Sequence, residues 1–174
     1  MAIEPDNKNW TWVLERQCPD CAFDAASVVP RDIGMNIRDV ASQWEVILLH
    51  PGATKRPVEN VWSPSEYGCH VRDVMRMADF RLELMTTEDD PMFTNWNQDE
   101  TAVAERYDLQ DPLVVRRELA IAGDLLAERF DGITAGQLSR SGLRSDGTRF
   151  TVESFSRYFL HDPIHHLWDV SRTY

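Results

Sequence analysis

This sequence predicts an all-α protein, a four-helix bundle with a long crossover between the second and third helices and little or no strand. Three observations carry that expectation. Four segments repeat apolar residues at three-to-four spacing. Two of them open on a cap followed by proline, Ser63-Pro64 and Asp111-Pro112. Period-two alternation is almost absent. At 174 residues the chain is long enough to bury the core of one such domain. Helical patterning starts near residue 30. Residues 1–29 are therefore expected to form an N-terminal extension packed on a bundle of residues 30–174.

The first helix is expected from about Pro30 to Leu49, with Ile33, Ile37, Val40, Trp44 and Ile47/Leu48 on one face and Pro51-Gly52 ending it. The second has the clearest start. Ser63-Pro64-Ser65-Glu66 places a hydroxyl at the N-cap, proline at N1 and glutamate at N3, a capping box. Tyr67, Val71, Val74, Ala78, Leu82 and Met85 continue its apolar seam. The third helix runs from Asp111-Pro112 through Val115, Leu119, Ala122, Leu126 and Phe130 to a stop at Asp131-Gly132. The fourth starts near Thr151 and uses Val152, Phe155 and Phe159.

The stretch from Thr87 to Asp111 is too long for a tight connection, so it is expected to cross the bundle with a short helix near Glu100–Tyr107. Gly142 to Gly147 ends in Asp-Gly, a turn signal consistent with a small hairpin.

Composition narrows the partners. With 29 acidic and 18 basic residues the formal charge is −11. Phosphate recognition draws its affinity from Lys and Arg, so nucleic acid and anionic membrane surfaces are excluded as expected partners. No apolar run is long enough to span a bilayer, and the acidic start, Met1 to Asp6, has no signal-peptide pattern. Three cysteines, an odd number, argue against a disulfide framework and for a reducing, cytoplasmic setting. A homodimer stays open.

The chemistry concentrates at Phe159-Leu-His-Asp-Pro-Ile-His-His-Leu-Trp-Asp169, which holds three of the chain's five histidines. His161 and His165 are four apart, so on a helix they share one face and can offer two imidazoles to one ion. His70, flanking the apolar seam of the second helix, is the expected third ligand, because facing helices stand close enough for their imidazoles to meet. Three imidazoles suit Zn, Ni, Fe(II) or Cu, with one position left open. His166 lies about 100° around the helix from His165 and is expected at the surface or behind the ligands. Asp73, Asp162 and Asp169 are candidate catalytic or orienting carboxylates. Arg72, Arg76 and Arg157 are candidates to meet a substrate carboxylate, and Trp62 and Trp168 to wall the pocket.

His161-Asp-Pro-Ile-His165 is not a zinc-protease motif. Aspartate is shorter than the glutamate base, and no third ligand follows. Pro163 removes a helical hydrogen bond and is expected to perturb the alignment of the two imidazoles. Cys18-Pro-Asp-Cys21 has the spacing of half a zinc knuckle or of a redox pair. With Cys69 as the one cysteine left and no βαβ context, the pair is expected to be structural or incidental and Cys69 a core filler.

Trp62-Ser-Pro-Ser-Glu-Tyr-Gly-Cys-His70-Val-Arg-Asp resembles the second-helix entry of the DinB-like (DinB/YfiT) metal-binding bundles, and Leu160-His-Asp-Pro-Ile-His165 resembles their last-helix HxxxH. The resemblance spans roughly Pro30 to Tyr174 and is greatest to the small actinobacterial members; Pro163 within the HxxxH departs from the family pattern. It implies a Zn or Ni ion on His70, His161 and His165, with water as fourth ligand. It also implies a small-molecule substrate and, in some relatives, S-transfer or isomerisation with a low-molecular-weight thiol such as mycothiol. The leading expectation is thus a metal-dependent thiol S-transferase, the bound ion lowering the thiol's pKa. The alternatives are a metal-dependent hydrolase, a non-catalytic metal- or ligand-binding stress-associated protein, and a purely structural bundle.

Overall fold

Ser63 and Glu66 form the predicted box in both directions. Ser63 Oγ accepts from the Glu66 amide at 3.3 Å, and Glu66 Oε2 accepts from the Ser63 amide at 2.8 Å. These bonds start α2, Pro64–Thr87, which runs two residues past the expected seam. The computed structural model describes residue 3 and residues 8–172. Apart from Ile3, the acidic start at Met1–Asp6 lies outside them, as do residues 173–174 of the expected bundle.

The remaining helices follow their signals. A 3-10 turn at Pro30–Asp32 leads into α1, Ile33–Leu48, which buries Ile33, Ile37, Val40, Ala41, Trp44 and Leu48. The short crossover helix α3 is Gln98–Ala104, earlier than expected because Asn97 accepts from the Asp99 and Glu100 amides. α4, Pro112–Asp131, is capped by Asp111. α5, Val152–Ser171, is started by Thr151 and Ser154. Pro163 sits inside α5 without interrupting it, and its carbonyl accepts from Trp44 Nε1 at 3.2 Å.

α4 packs on both α1 and α2, and α5 closes the ring against α2 and α1. Small residues allow close approach: a Cβ on Gly34 of α1 would meet the Ala127 carbonyl of α4 at 2.9 Å.

A three-stranded sheet is present that the sequence patterning leaves out. β1 (Met92–Phe93) pairs parallel to β2 (Ser141–Arg144), which pairs antiparallel to β3 (Arg149–Thr151). The β2–β3 connection is the expected Asp-Gly turn, with Gly147 at φ 93°. Strands of two to four residues are too short to show a period, which explains their absence from the sequence pattern. The sheet ties the crossover to the start of α5, since β3 runs directly into that helix.

The N-terminal segment lies on α5 through 3-10 turns at Trp10–Leu14 and Ala25–Ser27. Between them a tight turn is closed by Cys18 N–H to the Phe23 carbonyl (2.8 Å) and Ala22 N–H to the Cys18 carbonyl (3.0 Å). Ala22 there has a left-handed φ of 60°. No described helix is long and apolar enough to cross a membrane.

Candidate metal centre

α5 carries two interleaved pairs at four-residue spacing, His161/His165 and Asp162/His166. Each step along a helix turns the side chain by about 100°, so the two pairs occupy different faces. The expected trio of His70, His161 and His165 is divided accordingly. His70 stands with Asp162 and His166, whereas His161 and His165 stand with Cys18 and Cys21. In each set the donor atoms lie within 4.8 Å of one another. His166, expected to point away from the ligands, therefore belongs to the group facing α2.

In the first group His70 is fully buried, and its Nε2 lies 3.2 Å from Asp162 Oδ1. The same carboxylate oxygen is 3.8 Å from His166 Nε2. Donors sharing an ion at bonds of about 2.1 Å stand about 3.0–3.4 Å apart for octahedral to tetrahedral angles. The Asp162–His70 separation falls in that range and the Asp162–His166 separation a little outside it. His166 gives its other nitrogen, Nδ1, to Asp169 Oδ2 at 2.8 Å, the carboxylate–imidazole arrangement that orients a metal ligand. Buried His70 Nδ1 has no hydrogen-bond partner. Burial opposes ionisation of Asp162, but the charge and hydrogen bond of His70 outweigh it and hold the carboxyl down at about 2. Two imidazoles and a carboxylate form a donor set that fits a divalent transition ion and leaves positions open.

Aromatic rings frame this group. Trp96 stacks on His70 at 5.5 Å between centroids, Trp62 approaches His70 at 5.5 Å, and Tyr67 approaches His166 at 4.9 Å. All of them line a cavity of about 980 Å³ that also reaches Trp10, Arg81, Arg144 and Asp169. Arg81 is buried, donates to the Thr94 carbonyl at 2.8 Å and lies over the Phe93 ring. Among the described residues no carboxylate pairs with it. Burial and the nearby Arg144 push it down to about 10, so it remains a cation at neutral pH. Arg144 is paired with Asp146 at 2.7 Å and donates to the Tyr158 hydroxyl at 3.1 Å.

The other expected residues lie elsewhere. Asp73 binds Arg72, Arg76 and the Tyr107 hydroxyl, not the histidines. Arg72 is also held by Gln110 and Glu118, Arg76 by Glu118, and Arg157 by Glu153. These three guanidiniums are spent on the bundle's own carboxylates, and the cavity's arginines are Arg81 and Arg144 instead. Trp62 does wall the cavity, while Trp168 packs on His165 at 5.5 Å. Cys69 is buried, and burial pushes its thiol up to about 12, as for a core filler.

In the second group Cys18, His161 and His165 are buried and Cys21 is partly so. Cys18 Sγ lies 3.7 Å from His165 Nδ1. Burial lowers the pKa of both imidazoles, that of His161 to about 4, so they are neutral at pH 7, the form that ligates. Burial and the neighbouring Cys18 push the Cys21 thiol up to about 11. The sequence signal for this group is the coincidence of a CxxC and an HxxxH spacing.

No protein-family model matches the chain, and no curated protein matches it. Among solved structures it resembles YfiT from Bacillus subtilis, described as a probable metal-dependent hydrolase with an unusual four-helix bundle topology. The TM-score is 0.72 at 16% identity, over 84% of this chain and 89% of that one. That likeness shows the fold: the chain is a four-helix bundle of the YfiT type.

Proposed function

We propose that the protein is a metal-dependent hydrolase of an anionic small molecule, with His70, Asp162 and His166 holding the ion. The observation that carries this is the junction of an N2O donor set, through Asp162 and His166, with a large cavity lined by a buried cation, Arg81, that forms no direct ion pair with a described carboxylate. A divalent ion bound there supplies Lewis acidity, lowering the pKa of a water or thiol and polarising a carbonyl. Asp169 fixes the tautomer and orientation of His166. Arg81 binds the substrate's carboxylate, where low dielectric strengthens a charged hydrogen bond. Trp10, Trp62 and Trp96 narrow the water's access to the donor group. The YfiT-like fold supports the hydrolytic choice, since that neighbour is described as a probable hydrolase.

The second reading keeps the site and replaces water by a low-molecular-weight thiol such as mycothiol, giving S-transfer. It is favoured by the size of the cavity, at the upper end of the range of about 300–1,000 Å³ for small-molecule sites. The ion would be Zn or Ni in either case. One experiment separates the two. Metal-loaded and chelated protein are offered a panel of carboxylated esters and amides, then an electrophile with a carboxylated thiol. Metal-dependent release of acid without thiol supports hydrolysis. Metal-dependent consumption of thiol with no hydrolysis overturns it in favour of transfer. No metal dependence in either assay sinks both.

A further inference from the structure

We propose that Cys18, Cys21, His161 and His165 form a second, tetrahedral zinc site that fastens the N-terminal segment to α5. Four sulfur and nitrogen donors from two remote parts of the chain converge within 4.8 Å. Zinc bonds of about 2.3 Å to sulfur and 2.0–2.1 Å to nitrogen, at tetrahedral angles, place a sulfur and a nitrogen about 3.5 Å apart. Cys18 Sγ and His165 Nδ1 are 3.7 Å apart, close to that spacing.

A second observation points the same way. His161 is buried, and its Nε2 has no hydrogen-bond partner. An orphaned buried nitrogen is costly unless something fills its lone pair. Charge also balances. Two thiols release two protons as the ion binds, and two thiolates with two neutral imidazoles make Zn²⁺ a neutral unit suited to burial. The turn at Cys18–Phe23 accepts a left-handed Ala22 in presenting both cysteines to α5.

The consequence reaches the cavity. Trp10 packs on the His161 and His165 rings at 5.3 and 5.0 Å and also lines the cavity wall. A CxxC/HxxxH site thus makes the N-terminal segment a built wall of the cavity that His161 and His165 line together with Asp162 and His166. This inference uses other ligands than the proposed catalytic centre and does not rest on it.

The full chain, purified under reducing conditions and loaded with Co²⁺ in place of zinc, tests the site. About two ions per chain are expected, one giving intense thiolate-to-cobalt absorption. Cys18→Ser with Cys21→Ser should abolish that absorption and release one ion. His70→Ala with His166→Ala should release the other ion and leave the absorption intact. Absence of thiolate-to-cobalt absorption in the wild-type protein overturns the proposal, whether or not any variant folds. So does absorption that survives loss of both cysteines, or a Cys18–Cys21 disulfide under reducing conditions. A bound ion lost with His70 and His166 but no thiolate signal would leave the catalytic centre standing and remove this site alone.

Discussion

His165 and His166 are consecutive in the chain and both approach Asp169, yet they stand in different donor groups: His165 Nδ1 lies 3.7 Å from the Cys18 sulfur, and the His166 ring lies 4.9 Å from that of His70. One helix thereby serves two donor groups of different chemistry. The group with two thiols has four protein donors and the group with a carboxylate has three, and His161, Asp162, His165 and His166 all line the cavity. Four-ligand sulfur-rich sets are typically structural and three-ligand nitrogen–oxygen sets reactive, and the proposed roles follow that distinction.

Asp169 accepts from His166 Nδ1 at 2.8 Å and stands behind the open group. Asp169→Ala should lower metal affinity there about 10- to 100-fold, because the imidazole loses the partner that orients it. Competition with a chromophoric chelator reads this directly. Unchanged affinity would remove Asp169 from the positioning role.

Arg81 is the buried cavity cation that no described carboxylate pairs with. Arg81→Met should raise KM for a carboxylated substrate about tenfold, the loss of one charge-assisted hydrogen bond. The same variant should leave KM for the uncharged analogue unchanged. Equal effects on both substrates would show that Arg81 only supports the cavity wall.

Tyr107 donates to Asp73 Oδ2 at 2.6 Å, beneath Arg72. Burial raises the Asp73 pKa, but hydrogen bonds from Arg72 and Tyr107 win and hold the carboxyl below the usual range. Because the folded value is depressed, its contribution is present at neutral pH and disappears as pH falls through that lowered value. Tyr107→Phe should cost about 1.5 kcal/mol at pH 7 by denaturant unfolding. The difference from wild type should shrink in acid below about pH 4. A deficit independent of pH would place Tyr107's role in packing alone.

Gly34 lies where α1 meets α4, and an added Cβ would be 2.9 Å from the Ala127 carbonyl. Backbone cannot yield as a side chain can, so Gly34→Ala should destabilise by about 2 kcal/mol despite alanine's better helix propensity. Thermal unfolding measures it. A stabilised variant would mean that α1 and α4 separate without cost.

Helix limits were legible because their determinants are local. Ser63 with Glu66, Asp111 before Pro112, and Thr151 each act within four residues, and the apolar faces follow from period alone. The short strands were not, since the two residues of β1 exist only by pairing with β2 some 50 residues later. The donor groups sit between these cases. Sequence by itself determined that α5 carries metal-ligand types at four-residue spacing and that a CxxC and a helical His70 are available. The trio expected from sequence joined His70 to the row 161/165, whereas the structure sets His70 beside the row 162/166, one step of helical phase away. Only the tertiary structure decided that, by rotating α5 so that Asp162 and His166 face α2 while His161 and His165 face the N-terminal turn. That rotation is set by packing the apolar face of the whole helix, a long-range balance that no short motif contains.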